Sequence, residues 1–332
     1  MNKDTNYFGI DISKDVFDVY SQALGYAQYS NNKKGFREFL KVLSVESHCV
    51  MEATGYYHSQ LAYFLTEKKV KVSVENPLKI KRFIQMKLSK IKTDKSDAKQ
   101  ICNYAKSNEI KIWSGESESI QESRQILSLL DTLTKQSTQL KNKIHGEKIL
   151  GKPSSIVLKS LERALKFKKK EILKLEEHLL VLVKLDNQDL LTRLQTIPGI
   201  GIKTALMLMV FTNNFENFES SKQLCSYAGI TPIIRNSGSS VRSRERISKM
   251  GNGRLRNLLF LCSFNACKSN KACKQMFDRL VAKGKSKKLA LLAVCNKLLK
   301  QAFAIAKSGL IYDDNYRSVL VRNLNKKLDD VM

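Results

Sequence analysis

The first seventy-five residues follow a pattern that few folds accommodate: three short strands in immediate succession, then helix and strand in alternation. Phe8, Ile10 and Ile12 alternate with Gly9 and Asp11, so a strand over 7–13 has one apolar face and carries Asp11 on the other. Residues 16–21 and 27–31 read as two further strands joined by tight turns. Phe36, Phe39, Leu40 and Leu43 have helical spacing; a strand over 49–53, a helix over 56–68 and a strand over 70–74 follow. Hairpin-linked strands must pair antiparallel, whereas strands separated by a helix pair in parallel. The expectation is a mixed sheet covered by helices.

That order is the order of a ribonuclease-H-like (RuvC-like) α/β domain, with Asp11 on the first strand and Glu52 at the end of the fourth, as neighbours in the sheet. Glu52 stands in Val50-Met-Glu-Ala-Thr-Gly55. Two more acids, Asp94 and Asp97, follow in Lys92-Thr-Asp-Lys-Ser-Asp-Ala98, at a spacing that puts both on one face of a helix. The surroundings make these acids conspicuous. The 332 residues hold 58 Lys and Arg against 31 Asp and Glu, a formal net charge of +27. A polycation of this size calls for a polyanionic partner, because each cation that neutralises a phosphate releases a condensed counterion. Carboxylates gathered on apolar strands inside a polycation suit metal-dependent cutting of nucleic acid, where divalent ions stabilise the attacking and leaving oxygens. An all-oxygen donor set selects magnesium, or manganese, over zinc.

Composition excludes several other classes. The seven cysteines contain no CxxC pair and the four histidines are scattered, which argues against a zinc site or a disulfide framework and for reduced cysteines in a cytoplasmic protein. The N-terminus lacks a signal-peptide pattern, and no window is expected to reach membrane-spanning length.

Past residue 115 the pattern changes. Ile126, Leu130, Leu133, Leu140 and Ile144 step by threes and fours, with a polar site at Ser137. After Gly151-Lys-Pro153 the stepping resumes from Leu158 to Leu182. This reads as a coiled coil or a helical hairpin, which either joins protomers or pairs within one chain. From Leu190 the chain is mostly helical. Ile197-Pro-Gly-Ile-Gly201 with Lys203 resembles a helix-hairpin-helix element, in which Gly199 and Gly201 turn the chain toward a phosphate; the alternative is a plain interhelical turn. The expected division is 1–115 catalytic, 116–186 helical linker and 187–332 helical.

A last constellation joins Tyr227-Ala-Gly-Ile-Thr-Pro232, a segment rich in Ser, Gly and Arg from Asn236 to Arg246, and Ile247-Ser-Lys-Met-Gly251. Two roles fit its residue types. Arg235, Arg242, Arg244, Arg246 and Lys249 grip phosphates, or one of the serines is in addition a nucleophile activated by neighbouring charge.

Taken together, these motifs resemble the DEDD transposases of the insertion-sequence family called IS one-ten, over nearly the full length. Gly-Ile-Asp11, Glu52-Ala-Thr-Gly, and Thr-Asp94 with Asp97-Ala match its four acids, while Ile197-Pro-Gly-Ile-Gly, Ala228-Gly-Ile-Thr-Pro, Ser237-Gly and Ile247-Ser-Lys-Met-Gly match its second domain. The resemblance implies that Asp11, Glu52, Asp94 and Asp97 bind magnesium and that Ser237 becomes joined to a DNA strand as a phosphoserine. It implies a site completed between protomers of a dimer or tetramer, a structured guide (bridge) RNA that pairs with donor and target DNA, and a bacterial, nucleoid-associated setting. A RuvC-like junction endonuclease that uses water as its nucleophile is the alternative reading.

Overall fold

A computed structural model of the chain describes residues 5–53, 55–87, 93–233, 236–237, 241–242 and 246–316. They form two compact units, 1–116 and 117–332.

The first unit is a five-stranded mixed sheet with helices on both faces. Its elements are β1 (Asn6–Ile12), β2 (Val16–Ser21), β3 (Gly25–Ser30), α1 (Lys33–Leu40), β4 (Ser47–Glu52), α2 (Tyr57–Glu67), β5 (Lys71–Glu75), α3 (Pro77–Met86) and α4 (Asp94–Ser107). The strand order is β3-β2-β1-β4-β5, with β1–β2 and β2–β3 antiparallel and β1–β4 and β4–β5 parallel. This is the mixed sheet expected from the element order, and every expected strand lies within two residues of its observed bounds. On one face Phe8, Ile10, Phe17 and Met51 pack against Phe36 and Phe39 of α1 and Leu61 and Leu65 of α2. Each such fully buried side chain stabilises the fold by about 1.5–3 kcal/mol. On the other face Val50 packs against Ile80 and Phe83 of α3 and Ile101 and Tyr104 of α4.

The second unit is almost wholly helical: α5 (Glu118–Ile149), α6 (Ser155–Gln195), α7 (Ile202–Thr212), α8 (Ser221–Tyr227), α9 (Gly253–Ser269), α10 (Lys271–Ala282) and α11 (Lys287–Ser308), with the two-residue strands β6 (Pro232–Ile233), β7 (Asn236–Ser237), β8 (Val241–Arg242) and β9 (Arg246–Ile247) between α8 and α9. The long helices α5 and α6 pack along each other, as the apolar stepping requires. Ser137, the polar site in that stepping, is buried and donates to the Leu133 carbonyl at 2.8 Å, so its hydroxyl is satisfied within its own helix. Near the end of α6 the backbone leaves helical geometry at Asn187, whose side chain accepts from Leu190 N and caps the last two turns.

One expectation is corrected here. The helix α11 has 22 residues and a window of mean hydropathy 1.5, long and apolar enough to cross a membrane by length and composition. Single residues such as Asn296, Lys297 and Lys300 interrupt its apolar run, which hides the length of the helix from a search for unbroken apolar stretches. Its Val294, Cys295, Leu298, Leu299 and Ala302 are fully buried in the core of the second unit, where α11 packs against α8, α9 and α10.

Candidate active site

The parallel pairing of β1 with β4 sets Ile10 beside Met51, so Asp11 and Glu52 come next in line and point to the same face. The antiparallel pairing of β1 with β2 sets Asp11 opposite Asp18, and the pairing of β4 with β5 sets Glu52 beside Glu75. One end of the sheet therefore carries four carboxylates in a row, Asp18, Asp11, Glu52 and Glu75, on the face that α3 and α4 cover.

The outer two have local hydrogen-bond or ion-pair partners. Asp18, 2 % exposed, accepts from the Tyr26 hydroxyl at 2.5 Å and from Gln28 Nε2 at 3.0 Å. Glu75 is buried and pairs with Lys79 at 2.9 Å, with the Tyr104 hydroxyl at 3.5 Å. Asp11 is different: among the described residues its carboxylate has no hydrogen-bond or ion-pair partner.

The remaining two acids arrive on α4. Thr93 caps this helix in a reciprocal box with Ser96, and Asp94 and Asp97 occupy its first turn, where the helix dipole favours negative charge. What brings that turn to Asp11 is Gly9. A Cβ on Gly9 would sit 2.2 Å from the Ala98 carbonyl oxygen and 2.2 Å from Cys102 N, so α4 lies backbone against backbone on β1, two residues before Asp11. Lys95 and Lys99 of the same helix reach Tyr26 and Tyr20, lying 5.3 and 5.6 Å from the ring centroids.

The electrostatic result is a carboxyl that resists ionisation. Burial, then the charges of Asp97, Glu52, Asp94 and Asp18, push the Asp11 pKa up to about 6. The charges of Glu52, Asp94 and Asp97 are thus all felt at Asp11, with that of Asp18 in addition. The sequence reading missed Asp18, although its position between Phe17 and Val19 places it on the Asp11 face once the hairpin register is drawn. Among the described residues no three His, Cys, Asp or Glu side chains stand close enough together to hold a metal ion. The donor chemistry nevertheless suits a hard divalent cation: oxygens only, mutually repelling, with Asp11 lacking a counter-charge of its own.

The other predicted residues lie in the second unit. Ser248 N donates to Thr231 O at 3.0 Å, Lys249 N to Gly229 O at 3.2 Å and Asn252 N to Tyr227 O at 2.7 Å, while β6 pairs with β9. The two motifs on either side of the Ser-Gly-Arg segment are therefore laced together, and this segment leaves from and returns to a closed base. Ser237 and Arg242 contribute backbone to the β7–β8 pair within it. Arg235 and Arg244 lie outside the described residues. Arg246 and Lys249 are exposed at the base.

Around the glycine turn, Gly199 has φ +102° and a Cβ there would lie 2.7 Å from that of Ala266, so close packing of the turn on α9 already accounts for this glycine. Gly201 caps α7 and faces open space. Lys203 is engaged by Glu176 at 2.6 Å, which leaves it less available for a phosphate than its sequence context suggests.

Comparison with known proteins agrees with this arrangement. A family model described as "Transposase IS116/IS110/IS902 family" matches residues 191–278, and a DEDD model described as "Transposase" matches residues 8–147. The pilin gene-inverting proteins of Moraxella bovis and Moraxella lacunata are each 30 % identical over 92 % of this chain and 97 % of their own length. The transposase for insertion sequence element IS1111A of Coxiella burnetii is 27 % identical over 77 % of this chain and 76 % of its own. The chain therefore belongs to the IS110/IS116/IS902 family of transposases and is a DNA recombinase.

Proposed function

We propose that this transposase cuts and exchanges DNA strands with two sets of groups: Asp11, Glu52, Asp94 and Asp97 as ligands of magnesium, which manganese can replace, and Ser237 as nucleophile. What supports this reading is the placement of Asp11 and Glu52 side by side on β1 and β4 and the close backbone contact of α4 with β1, through which Asp94 and Asp97 act on Asp11. The sheet order, with its antiparallel β2 and parallel β4, supports a ribonuclease-H-like reading of the first unit.

When bound, the divalent ions supply charge stabilisation at the oxygens of the scissile phosphate. The four carboxylates position that charge, and Asp11 must lose its proton to do so. Ser237 Oγ then forms a bond to phosphorus and gives up its proton, the bond from phosphorus to the leaving deoxyribose oxygen breaks, and that oxygen takes up a proton. The product is a phosphoserine that a second strand resolves by the reverse attack. Arg235, Arg242, Arg244, Arg246 and Lys249 hold the phosphates, with Gly199, Gly201 and Lys203 as further contacts. The reading extends to a structured guide RNA that pairs with donor and target DNA, a dimer or tetramer in which one protomer's serine completes another's acidic site, α5 and α6 as a linking coiled coil, and action at the bacterial nucleoid.

The test is cleavage of element-end DNA with guide RNA and magnesium, followed by denaturation. A covalent protein–DNA adduct is expected, lost in Ser237→Ala. Cleavage without an adduct would instead favour hydrolysis by water at the acidic site. Full cutting by Asp11→Ala and Glu52→Ala would sink the metal assignment.

A further inference from the structure

The second unit carries a groove of about 1040 Å³ bounded by α8, the β6–β9 pair, α10 and the first half of α11. Lys222, Arg246, Lys249, Lys288 and Lys300 stand along it, all exposed, and no carboxylate lines it among the described residues. Their side chains take part in no ion pair among the described residues. What distinguishes them is that they share one groove, whereas Lys135, Lys143 and Lys203 on other helices of the unit each lie within 2.8 Å of a carboxylate. Between the cations the floor is apolar, with Ile230, Met276, Leu289, Leu292 and Ala293.

Two local details accompany these cations. Lys249, exposed at the loop base, has φ +54°, a left-handed conformation that is uncommon for a residue with a side chain. Thr231, in the groove wall, has a buried hydroxyl oxygen with no hydrogen-bond partner among the described residues.

Five uncompensated cations along one groove repel each other until an anion arrives, and phosphates at regular spacing relieve this with counterion release. The floor decides which polyanion. A duplex keeps its bases stacked inside and offers an apolar floor nothing, whereas a single strand can bury the faces of its bases against aliphatic side chains while its phosphates reach the cationic rim. We propose that this groove binds a single-stranded segment of DNA, the strand held open beside the Ser237 segment whose base, β6 and β9, forms one wall. The choice of DNA over RNA rests on the reading of Ser237 as the group that cuts DNA.

Fluorescence anisotropy of the full chain tests this, with labelled oligothymidylate of about 12 nucleotides, a duplex of equal length and oligouridylate. Lys288→Glu with Lys300→Glu should weaken oligothymidylate binding at least about tenfold and flatten its salt dependence. Leu289→Asp, at an exposed position that folding tolerates, should weaken it about fivefold and the duplex less than about twofold. Lys288→Gln with Lys300→Gln gives the same ranking at smaller amplitude, should charge reversal impair folding. Smaller single-strand losses than these, a duplex loss as large as the single-strand loss, or a stronger effect on oligouridylate overturns the assignment. Because the measurement needs neither metal nor cutting, it can fail while the serine adduct still forms, and the adduct can fail while the groove still binds.

Discussion

The acidic corner of the first unit and the cationic groove of the second are the same electrostatic problem with opposite signs. At the corner, burial and then the charges of neighbouring carboxylates raise the Asp11 pKa to about 6. At the groove, five cations stand without a carboxylate among the described residues lining it. Other charges are paired locally, as with Glu75 and Lys79 or Lys203 and Glu176. Like charges gathered on one face store repulsion that a ligand of the opposite charge releases. The two differ in rigidity. The corner is built from strand register and a backbone contact, whereas the groove is rimmed by exposed side chains.

The largest expected effect breaks the corner through its backbone. In Gly9→Ala the new methyl group meets the Ala98 carbonyl and Cys102 N, α4 moves off β1, and Asp94 and Asp97 leave Asp11. Strand cutting should fall at least about 100-fold even where thermal melting shows a folded protein, since a displacement of about 1 Å has that cost.

Next is a contrast within the second unit. Gly199→Ala should cost about 2–3 kcal/mol in denaturant melts, through positive φ and the clash with Ala266, whereas Gly201→Ala, with φ −84° and open space, should cost under about 0.5. Equal and small costs would mean that packing on α9 does not require Gly199.

His48 gives the opposite sign to Asp11 on the same sheet. It is buried beside Ser73, and burial, with the Lys71 charge, pulls its pKa down to about 4. The folded state binds its proton less readily than the unfolded one, so stability present above pH 6.5 declines as pH falls toward 4, by an amount on the order of 2 kcal/mol. His48→Gln should remove that slope, as measured by denaturant midpoints across the range.

Asp11 acts in reverse. Its folded pKa lies above the unfolded value of 3.8, so the fold is favoured at low pH and loses that advantage as pH rises through 6. Asp11→Asn should therefore stabilise the protein by about 1 kcal/mol at pH 8, with no gain at pH 4, while abolishing cutting. An Asp11→Asn protein no more stable than the parent at pH 8 would mean that the corner is already relaxed. The mirror experiment, Lys288→Gln with Lys300→Gln, should raise the melting temperature by about 1 °C at low salt only, because exposed charges are screened.

Much of this was legible in the residues. Phe8, Ile10 and Ile12 made β1 visible with Asp11 on its polar side, and the strand sequence placed Glu52 next to it. Asp94 and Asp97 at a spacing of three, behind the Thr93 cap, identified one helix turn. Asp18 was overlooked because a single acid between apolar residues looks like any solvent-facing strand position; only pairing with β1 shows that it is buried. The Lys203–Glu176 pair was not legible, because its members lie 27 positions apart, beyond the reach of local pattern.

What the sequence determined by itself was period and order: alternation of two for strands, three and four for helices, and a succession of elements that admits only a mixed sheet. These are local properties, since side-chain direction follows from backbone geometry one residue at a time. Tertiary structure alone decided which charges are left uncompensated. Whether Asp11 ionises and whether Lys300 finds a carboxylate depend on neighbours brought from distant positions, and electrostatic energy is a sum over distances in space that no spacing along the chain encodes.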